Sequence, residues 1–276
     1  MAYNEAAMLP FWARHYARQV GSDHCYVIDH GSQDPLVLPP GMNVLRLPRS
    51  PHDDVRRAQF ISEFCASLLG YYDWVIHTDA DELALADPAY FPDLPSFCGS
   101  VGASTITSIG LDVQHTAGEP PLDPSRSSGS QRGWARFTSA MCKPVLTRQP
   151  LRWGPGFHCS DQPLVFDRLY LFHLHWADRD IGLQRLAKTR IMPWADEQFG
   201  AHQRVSDAEW LSVFNGMAAF PPQDVVDFDP TIAPIHPWLQ RTIDSTVGRQ
   251  NEAYWLDLHL NAAELWPIPP RFRDRL

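Results

Sequence analysis

The chain has 276 residues, 44% of them hydrophobic, and a formal charge of −9 at neutral pH. That length holds one large α/β domain or a core with a smaller lobe, and the acidic balance argues against nucleic acid as the main partner. No apolar run approaches the roughly 18 residues of a membrane span, no signal peptide is evident, and the five cysteines lack CxxC spacing. A cytoplasmic protein with free thiols follows, able at most to associate peripherally with a membrane.

In chain order, apolar Met8, Trp12 and Tyr16 predict a helix within residues 5–20, stopped by Gly21, with Pro10 in its first turn or at a kink. Residues 25–29 read as a short strand, followed by the turn chemistry of His30-Gly31-Ser32-Gln33-Asp34, and residues 43–47 as a second strand. The next helix takes Ser50 as its cap and Pro51 at its first position. Asp53 and Asp54 favour its positive end, and Val55, Phe60, Phe64 and Leu68 lie close to one face. Gly70 ends it, and residues 74–78 form a buried strand. The order helix, strand, strand, helix, strand predicts a parallel α/β sheet.

Residues 101–113 are β-rich. Residues 116–133, dense in Pro, Gly and Ser, predict a plain surface loop, with a mobile lid as the sharper alternative. Strands are expected at 141–147 and 169–175, and helices at 178–190 and 206–217. The second of these helices opens with the capping box Ser206…Glu209. Beyond Phe220 the chain is rich in Pro and Trp and shows no clear period.

Chemistry concentrates in a few places. Asp79-Ala80-Asp81-Glu82 ends the strand at 74–78. Carboxylates there sit where open α/β sheets bind ligands, and a divalent cation would relieve their repulsion. Oxygen ligands suit Mn²⁺ or Mg²⁺ better than Zn²⁺; the plainer reading is a solvated acidic turn. An extended chain would put Asp79 and Asp81 on one side, leaving Glu82 to cap the next turn or to support the site from behind its ligands. His173 and His175, at strand spacing, would share a face, one completing a metal site and the other bonding a carboxylate. Glycines 154 and 156 allow close backbone approach next to His158, a further ligand candidate. Asp29 and Asp34 flank a turn where a carboxylate can bond a ribose or base, although Asp34 also suits an Asx-type turn. Arg56, Arg57, Arg185 and Arg190 could bind phosphate or simply be solvated. No GxGxxG, Walker loop, GxSxG or HExxH occurs.

Taken in order, these segments resemble the family 2-like glycosyltransferases of GT-A fold, especially the bacterial branch related to family 92. The resemblance is carried by Asn4-Glu5…Leu9…Trp12, by Asp29…Ser32…Asp34, by Asp79-Ala80-Asp81-Glu82, by Lys143-Pro144, by Gly156-Phe157-His158 and by His173-Leu174-His175. It implies an α/β, GT-A-like nucleotide-binding domain over residues 1–190, with a helical and irregular C-terminal part over 191–276 packed on it. The family has an apolar strand ahead of the Asn-Glu segment. Only Met1-Ala2-Tyr3 stand there in this chain, so a truncated first strand is expected.

The resemblance further implies a nucleotide-sugar donor, UDP- or GDP-linked, and a glycan or lipid-linked acceptor. Asn4, Glu5, Asp29, Asp34, Arg57 and Asp79 would hold the nucleotide. Asp79, Asp81, His158 and His175 would hold Mn²⁺ or Mg²⁺. In the inverting mechanism usual for the family a carboxylate acts as base, and Asp161 and Asp178 are the candidates because each adjoins a His motif. A metal-dependent hydrolase and a non-catalytic binding protein with a GT-A-like body are the competing readings.

Overall fold

The computed structural model describes residues 1–196, 200–248 and 253–276. Helix α1 (Leu9–Val20) carries Pro10 in its first turn and ends at Gly21, whose φ of 88° suits glycine. Its buried face includes Phe11, His15 and Tyr16. Strands β1 (Tyr26–Asp29) and β2 (Asn43–Arg46) pair in parallel as a separate two-stranded sheet.

Helix α2 (Asp54–Leu68) starts later than Ser50 suggests. Asp53 is the cap, its side chain accepting the Arg56 amide. His52 cannot be helical because it forms a strand-like bridge with Trp194, bonding Pro193 and Ala195 through its backbone. Ser50 bonds His30 instead. The inward stripe of α2 is Ala58, Ile61 and Cys65, so the expected face is rotated: Val55 is exposed, and Phe60, Phe64 and Leu68 are half-buried.

The main sheet has seven strands: β3 (Val75–Ile76), β4 (Glu82–Ala86), β5 (Thr105–Gln114), β6 (Trp134–Phe137), β7 (Pro144–Thr147), β8 (Phe166–His173) and, last in the chain, β11 (Trp266–Pro267). All ten residues of β5 are buried, and it is the centre of the sheet. One edge of β5 takes β7 near its start and β6 near its end, both antiparallel; the other edge takes β8 in parallel. Strand β4 continues beyond β8, β3 beyond β7 and β11 beyond β6, all antiparallel.

The expected parallel pairing is found between β1 and β2, in their own small sheet, whereas the main sheet is corrected to a mixed, mostly antiparallel one in which β5–β8 is the parallel pair. A parallel neighbour needs a long crossover. The segment from β4 to β8 interposes just one short α-helix, α3 (Leu94–Ser100), before β5.

Helix α4 (Arg179–Ile191) follows β8. Helix α5 (Asp207–Ala218) opens with the capping box between Ser206 and Glu209. Helix α6 (Ile235–Asp244), the small ribbon β9 (Val247–Gly248) with β10 (Tyr254–Trp255), and α7 (Pro270–Arg273) complete the described elements. The C-terminal part shares the central core. Ile235, Leu239, Trp266 and Phe272 pack in one cluster with Leu83, Leu111 and Phe172.

Residues 116–133 lack regular structure but are pinned. Leu122, Ser128 and Arg132 are buried, and Arg132 bonds the Ala177 carbonyl and Asp178. Among the described residues no helix is long and apolar enough to cross a membrane.

Candidate functional site

The end of β3 and the start of β4 present the acidic segment. Trp12 Nε1 on α1 donates to Thr78 Oγ1 at 2.9 Å and fixes the approach to it. The chain then turns, with the Glu82 amide donating to the Asp79 carbonyl at 3.1 Å and the Asp79 amide to Glu82 Oε2 at 3.0 Å. Glu82 thus caps the turn, as its position in the motif predicts. A turn does not alternate like a strand, so the expectation that Asp79 and Asp81 share one side is corrected: their carboxylates look to different partners.

Asp79 faces a row of cations. Arg57 Nη2 lies 3.2 Å from its Oδ1, and Arg57 Nη1 lies 2.7 Å from Asp54 Oδ1. Lys143 Nζ is 3.6 Å from Asp79 Oδ2 and 2.5 Å from Glu82 Oε1. Burial alone would raise the Asp79 pKa. Lys143 and Arg57 outweigh it and hold the carboxyl well below the usual range.

Asp81, 4% exposed, faces imidazoles and Arg185, which is ion-paired to its Oδ2. His173 Nε2 lies 3.3 Å from the same oxygen, while His173 Nδ1 is 2.8 Å from Asp112 Oδ1 on β5. Register explains the second contact, since Asp112 and His173 are paired residues of the parallel β5–β8 ladder. Arg136 Nη2 on β6, paired opposite Asp112, closes the chain at 3.1 Å. Burial opposes the His173 charge, but Asp81 and Asp112 push its pKa up to about 10. Strand β8 ends at His173, yet the His175 ring still stacks near the His173 ring, centroids 5.5 Å apart. Burial, with Arg185 and His173 nearby, pushes His175 down to about 3.

Asp81, His173 and His175 each offer a ligand atom, and these atoms lie within 4.8 Å of one another. Among the described residues this is the one group of three or more such side chains able to hold a metal ion. The donor set fits a divalent transition ion: one carboxylate, two imidazoles, and one of those imidazoles oriented by a second carboxylate.

The other expected ligands and base candidates lie elsewhere. Asp79 stands outside the metal-capable group because the turn aims it at Arg57 and Lys143. His158 also stands outside it. Its Nδ1 bonds the Ala140 carbonyl at 2.7 Å, and burial pushes its pKa down to about 3. Asp178 is the cap of α4: Oδ1 accepts the Asp180 and Ile181 amides, and Oδ2 accepts Leu122 N and Arg132. Those bonds give it a structural role, joining the start of α4 to residues 122 and 132. Asp161 is tied to Arg152 through one backbone and one guanidinium bond, both 3.0 Å, and belongs to that local turn.

At the N-terminal side, Asn4 (φ 49°) accepts the Gln33 amide, and its own amide donates to Ser32 Oγ. Asp29 takes the Ser32 amide and Arg46, bracing the same turn, whereas Asp34 is exposed. Glu5 is ion-paired to Lys188, which also bonds the Tyr3 carbonyl at 3.1 Å.

Sequence reasoning missed Asp112, Arg136 and Lys188 as parts of this region. A signal existed for two of them. Asp112 is a lone charge inside the β-rich run 101–113, and a buried charge demands a partner. The chain has just two lysines, 143 and 188, and both lie among these carboxylates. Compared with protein-family models, curated proteins and solved structures, the chain finds no match in any of the three.

Proposed function

We propose that this protein is a Mn²⁺-dependent glycosyltransferase that takes a sugar from a UDP- or GDP-sugar and passes it to a glycan or lipid-linked acceptor. The observation that carries the reading is the division of labour at the turn. Asp81 joins two imidazoles in a metal-capable group, while Asp79 sits among Arg57 and Lys143. Two imidazoles favour Mn²⁺ over Mg²⁺, which prefers oxygen ligands and near-ideal octahedral geometry.

A divalent cation on Asp81, His173 and His175 would supply Lewis-acid stabilisation to the departing nucleoside diphosphate. The chain's own cations supply the rest. Arg57, Lys143 and Arg185 now neutralise Asp79, Glu82 and Asp81, and in this reading they would take up phosphate charge as it develops. Asp112 holds the His173 ring in position.

Calorimetric titration of UDP and of GDP, each with and without Mn²⁺, tests this. Nucleotide binding should require the metal. Asp81→Ala should weaken Mn²⁺ binding at least about 100-fold. Asp79→Ala should weaken the nucleotide and spare binding of Mn²⁺ alone. Mn²⁺ affinity unchanged in a folded Asp81→Ala variant would sink the site. Tight Mn²⁺ binding with no response to either nucleotide would favour the hydrolase reading instead.

A further inference from the structure

The metal-capable group has a competitor inside the protein. Arg185 Nη1 is ion-paired to Asp81 Oδ2, and the same oxygen lies 3.3 Å from His173 Nε2. The guanidinium therefore stands on the carboxylate oxygen that looks toward the imidazoles. Its charge also reaches the third ligand: after burial, Arg185 is the largest influence pushing the His175 pKa down. A guanidinium carries a fixed positive charge and five donors but no lone pair, so it cannot itself ligate a metal. It repels an incoming cation and uses the oxygen that the cation needs.

The hold on Arg185 is loose. Among the described residues its guanidinium makes one hydrogen bond, to Asp81, and its side chain is 33% exposed. Arg132 is the contrast: it is fully buried and bonds the Ala177 and Gln131 carbonyls as well as Asp178. The backbone under Arg185 is firm. One turn further along α4, Lys188 is ion-paired to Glu5 and bonds the Tyr3 and Asn4 carbonyls at 3.1 and 3.3 Å. One turn back, Gly182 lies so close to the Trp210 ring that an added Cβ would stand 2.3 Å from it. Movement of Arg185 is therefore a side-chain rotation on a fixed helix. Other carboxylates await it nearby, since Glu5 and Asp79 join Asp81 in raising the Arg185 pKa against the cost of burial.

We infer that Arg185 is a displaceable stand-in for the cation: it holds Asp81 until a divalent ion takes its place, and its released guanidinium then binds the diphosphate of the nucleotide. The planar fork of an arginine matches phosphate oxygens in pairs, a capacity that the single bond to Asp81 leaves unused. One residue thus lowers the affinity for the metal and raises the affinity for the nucleotide. The two ligands bind with positive coupling, because each favours the released side chain. The diphosphate step rests on the glycosyltransferase reading; the displacement rests on the Asp81 group alone.

The test titrates Mn²⁺ alone, and then UDP or GDP at saturating Mn²⁺, into the full chain and into its Arg185→Gln and Arg185→Lys variants by calorimetry. Arg185→Gln removes the charge and keeps much of the length. It should tighten Mn²⁺ binding by about tenfold and weaken nucleotide binding by about tenfold. Arg185→Lys, which restores a charge, should return the Mn²⁺ affinity toward that of the unaltered protein. A residue that merely supports the fold would not move the two affinities in opposite directions. Unchanged or weaker Mn²⁺ binding in an Arg185→Gln protein with native circular dichroism would overturn the inference. So would nucleotide binding that needs no metal and disappears in Arg185→Gln, which would make Arg185 a permanent replacement for the ion. Tighter Mn²⁺ binding in Arg185→Gln, with no response to UDP or GDP in any of the three proteins, would uphold the displacement and overturn the diphosphate step together with the glycosyltransferase reading.

Discussion

His173 sits between two carboxylates, and each side of its ring has a different task. Nε2 looks at Asp81, and Nδ1 is held by Asp112 at 2.8 Å. A carboxylate behind a ligating imidazole fixes ring orientation and raises its basicity. Asp112→Asn removes the charge and keeps the size. It should weaken Mn²⁺ binding by about 10- to 100-fold while circular dichroism stays unchanged, and an unaltered Mn²⁺ affinity would show that Asp112 does no such work. The sequence marks Asp112 as a lone charge in a buried strand, but not which partner it meets, because nothing near it in the chain belongs to the site. Its role comes from the β5–β8 register, which a one-residue slip would abolish by turning Asp112 to the other face.

Helix α2 shows how local signals compete at the level of an element. Ser50-Pro51 and Asp53 are both acceptable starts by composition. The backbone of His52 settles the matter by bonding residues 193 and 195, which no local pattern announces. Asp53→Ala should therefore cost about 1 kcal/mol in urea denaturation, and Ser50→Ala much less, since Ser50 caps nothing. The reverse ranking would restore the sequence expectation. The acidic motif departs from the sequence expectation for a similar reason. Alternation holds only in extended chain, and Asp79–Glu82 is a hydrogen-bonded turn. The element order of residues 5–78 predicts parallel pairing, and β1 and β2 do pair in parallel; the strands from β4 to β8 follow one another with little helix between and pair mostly antiparallel, β5 with β8 excepted.

Across the whole molecule, several histidines are buried in the neutral form. His15, on the buried face of α1, is the clearest case away from the site. Burial pushes its pKa from 6.5 down to about 4, against the bond to the Ala84 carbonyl that favours the charged form. His77 is likewise pushed down by burial, to about 3. The unfolded chain binds a proton at His15 near pH 6.5, while the folded chain resists until about pH 4. Stability is therefore full above 6.5, is lost as pH falls through that window, and levels off below it. At roughly 1.4 kcal/mol per pH unit, His15 contributes about 3 kcal/mol of acid lability. Urea denaturation at several pH values checks this. His15→Gln should reduce the slope between pH 6.5 and 4 by about one proton, and an unchanged slope would assign the lability elsewhere.

The sequence alone determined where most elements lie, because helix stops, capping residues and apolar period are local properties. The capping box at Ser206, the stop at Gly21 and the α/β class follow from neighbours a few residues apart. The sequence also marked Asp79, Asp81, His173 and His175 as chemistry-bearing residues. Only the tertiary structure decided which of them meet. Asp81 joins His173 and His175 because β4 and β8 pair antiparallel, with Glu82 opposite His173, and bring two segments about ninety residues apart together. The turn at Asp79 aims its carboxylate at Arg57 and Lys143 instead. Strand pairing and turn geometry are long-range outcomes of packing, and no spacing within a motif encodes them.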